Sequence, residues 1–192
     1  MESSISRAPS SSRSALSGTP ATAAIFAAFA AVFVVFAAWT GQWYQTWKAL
    51  HVLFAIVWIG GALMIQLFSF RVLREDDAGR IGQFAADVEF IGMRTFVPSS
   101  LLLVVLGFVL MHQGHWQWHF WVVFALVVWA LSFLSGALYL GPASGKIGKL
   151  IAERGTVDAE IKARIERLLF HSRVELVLIA LVAMDMVLKP GA

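Results

Sequence analysis

Long stretches of mostly apolar residues with few charges recur along this chain and alternate with short polar segments. They cover residues 21–39, 48–70, 95–111, 120–140 and 168–188. A helix rises about 1.5 Å per residue, so about 20 residues are needed to cross a hydrocarbon core of about 30 Å. The pattern therefore predicts an all-α transmembrane helical bundle of five spans. A four-helix core lies within residues 46–191, and residues 21–39 form an additional N-terminal helix.

The segments between the spans differ in character. Residues 1–20 are rich in serine and have little to bury, which predicts a disordered tail. Within residues 74–94, apolar side chains recur every three or four positions, which predicts an amphipathic helix lying at the membrane interface. Residues 143–167 are charged and polar, with helix-forming character after Val157. The basic tail before residues 21–39 also resembles a signal peptide, so both an uncleaved signal anchor and a cleaved segment remain open.

Composition and charge placement agree with the membrane prediction. Hydrophobic residues make up 59% of the 192-residue chain and charged residues only 14%, and the absence of cysteine excludes thiol chemistry. Of the 15 lysines and arginines, all but Lys48 and Lys189 fall on segments that share one side. By the positive-inside rule, this predicts a bacterial inner-membrane protein with its N-terminus inside and its C-terminus outside. The basic residues are scattered, which argues against a nucleic-acid partner.

Ionisable residues inside the predicted spans are the candidate site. His51, Trp58 and Gly61 share one face of the second span, and a neutral imidazole there can ligate haem b. The alternative is a histidine that is hydrogen-bonded to a neighbouring helix. Asp185 lies at a similar depth in the last span, where it is placed to hydrogen-bond His51 and fix its tautomer. His171 lies too far toward the inner side to ligate the same iron as His51.

Two further groups of side chains are candidates, one for a metal site and one for an ion pair. Three histidines, His112, His115 and His119, would share one face of a continuous helix and form a zinc or copper site. A loop with an aromatic belt is the alternative for that segment, because Gly114 and several tryptophans lie there. Near the inner side, the sequence predicts a cross-helix ion pair among Glu89, Arg94, Arg173 and Glu175. The sequence shows neither evident internal repetition nor a pair of helices interrupted by glycine and proline.

Four motifs carry a family resemblance. They are LHVLFAIVWIGG (50–61), the E-x-x-G-x-R-x-F-x-P-x-S stretch (89–100), LSFLSGALYLGP (131–142) and DMVLKPG (185–191). Residues 46–191 resemble a family of bacterial integral membrane proteins of unknown function with a four-helix core. More distantly, His51 with its following Trp and Gly is similar to copper-resistance D-type domains and HemJ-type protoporphyrinogen oxidases. The latter resemblance implies a transmembrane haem ligand at His51, although the lysine partner of HemJ-type proteins has no counterpart here.

The expected function is therefore that of a small integral membrane protein that binds haem b through His51. Two alternatives remain open at this point. One is a haem-dependent membrane redox protein of the HemJ or copper-resistance-D type, and the other is an accessory subunit within a larger membrane complex. A homo-oligomer in the lipid bilayer is compatible with each of them.

Overall fold

The computed structural model describes residues 18–190, and helices dominate this part of the chain. Its seven α-helices are α1 (Gly18–Thr40), α2 (Trp43–Arg74), α3 (Ala78–Ile91), α4 (Val97–Gln113), α5 (Phe120–Ser135), α6 (Gly141–Arg154) and α7 (Ala159–Leu188). No strand is present within residues 18–190. The predicted all-α helical bundle is confirmed. Most of the predicted tail lies outside the described residues, although α1 already begins at Gly18.

Two pairs of these helices are continuous across a turn of π-helix. The first π-turn, Gly92–Phe96, joins α3 to α4 in one helix of 36 residues, and the second, Gly136–Leu140, joins α5 to α6 in one of 35 residues. Pro98 and Pro142 each lie two residues after the end of a π-turn. Proline lacks an N–H and its ring crowds the carbonyl four residues earlier. Because the wider π-turn places an extra residue there, each helix accommodates its proline without ending.

The structure differs from the sequence prediction at these joints. The amphipathic segment expected to form a separate interfacial helix continues into α4. The polar residues after Pro142 likewise continue α5 as α6 instead of forming a loop. Each continuous helix is about 50 Å long, which exceeds a hydrocarbon core of about 30 Å. The amphipathic α3 and α6 therefore extend beyond the length that a bilayer requires.

Four of the described helices are long and apolar enough to cross a membrane. They are Ala23–Thr40, Trp43–Arg74, Ala78–Gln113 and Phe120–Arg154. The remaining predicted span lies in α7, which is 30 residues long but carries Arg173, Glu175 and Asp185. Its crossing of the membrane stays a prediction.

Helix packing is uneven along the bundle. α3 packs closely on α6, whereas α4 packs on α2 and α5 packs on α7, and the contact between α4 and α5 is slight. The close approach of α3 and α6 depends on small residues, since a Cβ at Gly148 would lie 3.1 Å from the carbonyl oxygen of Gly82. Ser144 donates a hydrogen bond to the carbonyl of Ala85 across the same interface (2.8 Å). The largest buried apolar cluster surrounds this contact: Val72, Ile81, Ala85, Ile147, Ile151, Ile161 and Ile165.

Candidate functional site

A cavity of about 100 Å³ lies inside the four-helix core, between the two π-turns. Helices α2, α4, α5 and α7 contribute to its wall together with both π-turns. Its polar lining consists of Ser100, Ser132, Ser172 and Glu175. Apolar and glycine residues complete the wall, including Trp58, Phe96 and Phe133. Among the described residues that line the cavity, Glu175 is the one that can ionise.

Glu175 lies near the middle of α7 and is partly buried. Its Oε2 accepts a hydrogen bond from the hydroxyl of Ser135 on α5, with 3.4 Å between the two oxygens. An uncompensated carboxylate at membrane depth is costly, and such residues usually face the interior of a bundle and mark an ion or proton pathway. The position of Glu175 follows this pattern, because a proton or a small cation can neutralise it inside the cavity.

Arg173, one of the four residues predicted to form a cross-helix ion pair, contacts uncharged side chains instead. Its Nε donates to Oε1 of Gln66 (3.4 Å), and its guanidinium lies 4.9 Å from the centre of the Phe70 ring. The same Gln66 is buried and donates through Nε2 to the hydroxyl of Ser172 (2.7 Å), which lines the cavity. Arg173 therefore orients Gln66, which in turn fixes a hydroxyl at the cavity wall.

Glu89 is also placed differently from the prediction. Its carboxylate lies against Gly145 in the contact between α3 and α6, where a Cβ at Gly145 would overlap it. Arg94 lies over the ring of Phe90, 5.0 Å from the ring centre. Glu89 thus lies in the contact between α3 and α6, whereas Arg173 contacts α2 and Glu175 contacts α5.

The two π-turns share a sequence pattern that the sequence analysis missed. Residues 92–100 are GMRTFVPSS and residues 136–144 are GALYLGPAS, with glycine first, proline seventh and serine ninth in both. In each case the first five residues form the π-turn. The two segments run in opposite directions, because they belong to consecutive antiparallel helices. Interrupted helix segments at matching positions are typical of binding sites in membrane transporters, and π-turns occur frequently at functional sites.

His51 lies outside the cavity, in the contact between α2 and α4. Its Nδ1 is 2.9 Å from the carbonyl oxygen of Leu103, and Gly107 leaves room for the edge of the ring. Because a carbonyl only accepts, the proton of the neutral imidazole is on Nδ1 and Nε2 carries a lone pair. The alternative of a histidine bonded to a neighbouring helix is thus the arrangement present.

The remaining members of the predicted haem site are divided between two places. Trp58 is buried and lines the cavity, and Gly61 admits the ring of Phe96, which a Cβ there would overlap. Asp185 does not bond to His51, and its Oδ2 is buried without a hydrogen-bond partner within the described part of the chain. The structure therefore brings Trp58 and Gly61 to the cavity region but leaves His51 and Asp185 in separate surroundings.

The three histidines considered as metal ligands are not brought together. α4 ends at Gln113, His115 has a positive φ of 54°, and His119 immediately precedes α5, so the segment is a loop as the alternative interpretation held. Residues 18–190 contain no group of three or more histidine or acidic side chains arranged to hold a metal ion. Trp116 in this loop instead contacts Lys189, whose ammonium lies 4.0 Å from its ring centre.

Comparison with known proteins identifies no relative of this chain. No protein-family model, no curated protein and no solved structure matches the chain. The resemblance noted from the four motifs stays an expectation from the sequence, and the functional argument depends on the site itself.

Proposed function

We propose that this protein is a small membrane transport protein that binds a monovalent cation, a proton or a sodium ion, at Glu175. The observation that carries the proposal is the placement of this carboxyl group in a cavity flanked by two matching π-turns. Binding at a carboxylate inside the bundle, combined with two helices that are interrupted at the same level, provides the elements of a transporter site.

The lining of the cavity supports a small hard cation as the ligand. Glu175 and the hydroxyls of Ser100, Ser132 and Ser172 supply oxygen atoms, which are the preferred ligands of hard cations. A volume of about 100 Å³ exceeds what one water molecule needs, but it is below the roughly 300–1,000 Å³ of pockets for drug-sized ligands. A cation with one or two water molecules therefore suits the cavity better than a large organic substrate.

The membrane context is part of the same proposal. The distribution of lysine and arginine supports an inner-membrane protein of a bacterium, with the N-terminus inside and the C-terminus outside. In this orientation α7 forms the fifth span, and α3 and α6 extend toward the cytoplasm. Assembly into a homo-oligomer or a larger complex stays a prediction from the sequence.

Flux measurements in reconstituted liposomes test the cation site. Purified protein in vesicles with an internal pH-sensitive dye is exposed to a sodium gradient or a pH gradient, and the initial rate is recorded. We expect Glu175→Gln to lower the rate to that of empty vesicles. The amide carries no negative charge to attract a cation, and it has no acidic proton to release. Glu166→Gln, an exposed position on the same helix, is the matched control and is expected to retain the wild-type rate. Equal rates for the wild type and Glu175→Gln would overturn the proposal.

A second function, haem b binding at His51, is favoured by one specific contact. The bond from Nδ1 to the Leu103 carbonyl fixes the tautomer that leaves Nε2 available to a metal, which is the arrangement found for histidines that ligate metals. The histidine thus fits an axial role, whereas Asp185 takes no part in orienting it. Bound haem would supply one-electron redox chemistry, as expected of a HemJ-type or copper-resistance-D-type redox protein.

An absorption spectrum distinguishes this second function from the first. Protein purified in mild detergent from a haem-replete host is expected to show a Soret band that His51→Ala abolishes. His171→Ala, at an exposed position on α7, is the control and should leave the band unchanged. A colourless wild-type protein would exclude haem binding and leave the cation site unaffected.

A further inference from the structure

An open groove lies on the surface of the bundle, beside the C-terminal end of α2. It is lined by Leu67, Phe70, Arg71, Arg74 and Glu75. Leu67 and Phe70 are 52% and 47% exposed, and the two arginines that follow them are exposed as well. From Leu67 to Arg74 the helix rises about 10 Å. Over this short distance the surface of α2 changes from apolar to positively charged.

The positive charge of this groove is only partly neutralised. Glu75 lies at its end and pairs with Arg80 on α3, with 2.9 Å between Nε and Oε2, and with Arg71, with 3.6 Å between Nε and Oε1. Arg74 forms no ion pair within residues 18–190. The two aspartates that follow Glu75 do not line the groove. The groove therefore combines exposed apolar surface with an arginine that lacks a counter-charge.

We infer that this groove binds an anionic phospholipid, with its phosphate on Arg71 and Arg74 and an acyl chain along Leu67 and Phe70. A guanidinium donates paired N–H groups that match the geometry of phosphate oxygens. Exposed apolar side chains directly before the arginines place them where the acyl region of a bilayer meets its headgroups. The anion that the arginines meet at this depth is a lipid phosphate, and basic residues beside a membrane-crossing helix attract anionic lipids.

The surroundings of the groove agree with a lipid ligand. α2 is long and apolar enough to cross a membrane, and Arg71 and Arg74 lie in its last turn. Arg173 on α7 adds positive charge beside them, because its guanidinium lies 4.9 Å from the centre of the Phe70 ring. The five residues that line the groove are distinct from those that line the cavity. The lipid site therefore depends on the membrane location of α2 and is independent of the proposed cation site.

Native mass spectrometry of the full chain in mild detergent resolves bound lipids and tests the site. The protein is titrated with phosphatidylglycerol, which is anionic, or with phosphatidylcholine of the same acyl chains, which has no net charge. We expect phosphatidylglycerol to bind more tightly. Arg74→Gln should weaken its binding roughly fivefold, which corresponds to about 1 kcal/mol for one basic residue, and should leave phosphatidylcholine binding unchanged. Arg74→Lys, which keeps the charge and loses the paired donors, is expected to give a smaller loss.

Lys48→Gln is the matched control, because it removes one positive charge from an exposed position near the opposite end of α2, outside the groove. It should leave the affinity for phosphatidylglycerol unchanged. Equal affinities for the two lipids, or equal effects of Arg74→Gln and Lys48→Gln, would overturn the lipid site. Inorganic phosphate in large excess should not displace phosphatidylglycerol. Displacement by it would assign the arginines to a soluble anion and would equally overturn the inference. The measurement requires no cation flux, so its failure leaves the proposal for Glu175 intact.

Discussion

The two long helices pack against each other differently on the two sides of their π-turns. On one side of the π-turns, α3 and α6 approach closely through Gly82, Gly145 and Gly148 and carry the largest buried apolar cluster. On the other side, α4 and α5 contact each other only slightly, and the cavity that they line with α2 and α7 carries serines and Glu175. The comparison indicates that the α3–α6 end of this bundle is close-packed, whereas the part built from α4 and α5 encloses a cavity.

This contrast has a physical origin. Burial of apolar surface stabilises helix contacts in water, whereas lipid is as apolar as the side chains and gives no such driving force. A projecting pair of amphipathic helices therefore needs a close-packed core, and α3 and α6 have one. Within the membrane, specific contacts such as those of Trp129 and Gln66 take the place of that core.

The largest expected effect is on the buried core of the projecting end. Ile161 in the first turn of α7 is fully buried in this cluster. We expect Ile161→Ala to lower the free energy of unfolding by about 2–5 kcal/mol, because it leaves a cavity in a packed site. Thermal unfolding in detergent, followed by circular dichroism, measures the change. Leu181→Ala on the C-terminal half of the same helix, where leucine is 44% exposed, should change it by no more than about 0.5 kcal/mol. Equal effects of the two substitutions would contradict the contrast.

A smaller effect is expected from widening the contact between α3 and α6. A side chain at position 148 meets backbone atoms, with the carbonyl oxygen of Gly82 at 3.1 Å and the amide nitrogen of Ala86 at 3.3 Å from its Cβ. Gly148→Val should therefore destabilise the protein by about 1–3 kcal/mol through overpacking. Gly60→Ala on α2 is the matched control, since no atom lies within 4 Å of its added Cβ. That control should be neutral or slightly stabilising, because alanine favours a helix over glycine, and a comparable loss there would contradict the assignment of the Gly148→Val effect to packing.

The smallest effect concerns the connection between α6 and α7. The pKa of Asp158 is lowered below its ordinary value of 3.8. The main cause is a hydrogen bond that its carboxylate accepts from the Ile161 N–H, and the second is one that it accepts from Arg154. A lowered folded-state pKa contributes stability above the ordinary value, and this contribution is lost as the pH falls through the folded-state pKa. The unfolding temperature should therefore fall more steeply below about pH 4 in the wild type than in Asp158→Asn, which retains the cap without the charge. Parallel curves for the two proteins would contradict the assignment.

Apolar runs were enough to predict the helices, because a span of fixed length is encoded locally in the chain. Residues such as Pro98 and Pro142 show where local prediction stops. Proline commonly begins or ends a helix, and the sequence analysis placed Pro98 in the first turn of a span and Pro142 at the end of another. In the structure, a widened turn before each proline keeps the helix continuous. Whether a helix ends or widens at a proline depends on how the neighbouring helices pack. The spacing of residues along the chain carries no information about that packing.

The candidate site illustrates the same limit through side-chain partners. Periodicity placed His51 on a helix inside the membrane, but its partner Leu103 lies 52 residues away and depends on how α2 and α4 rotate against each other. Glu175 was expected in a cross-helix ion pair because Glu89, Arg94 and Arg173 lie at a comparable depth in the sequence prediction. Two residues along a helix point to different faces, so the carboxyl group faces the cavity while Arg173 reaches Gln66. The repeated glycine, proline and serine spacing was the signal in the sequence that could have identified the site.

The π-turns also connect the projecting helices α3 and α6 to the wall of the cavity. α3 and α6 each extend about 20 Å from their π-turn, so tilting either by about 10° there would displace its far end by about 4 Å. Conversely, a small displacement of that far end would rotate the segments that carry Ser100 and Gly136, and both residues line the cavity. In this sense the projecting pair is a lever arm whose short end lies at the wall of the cavity.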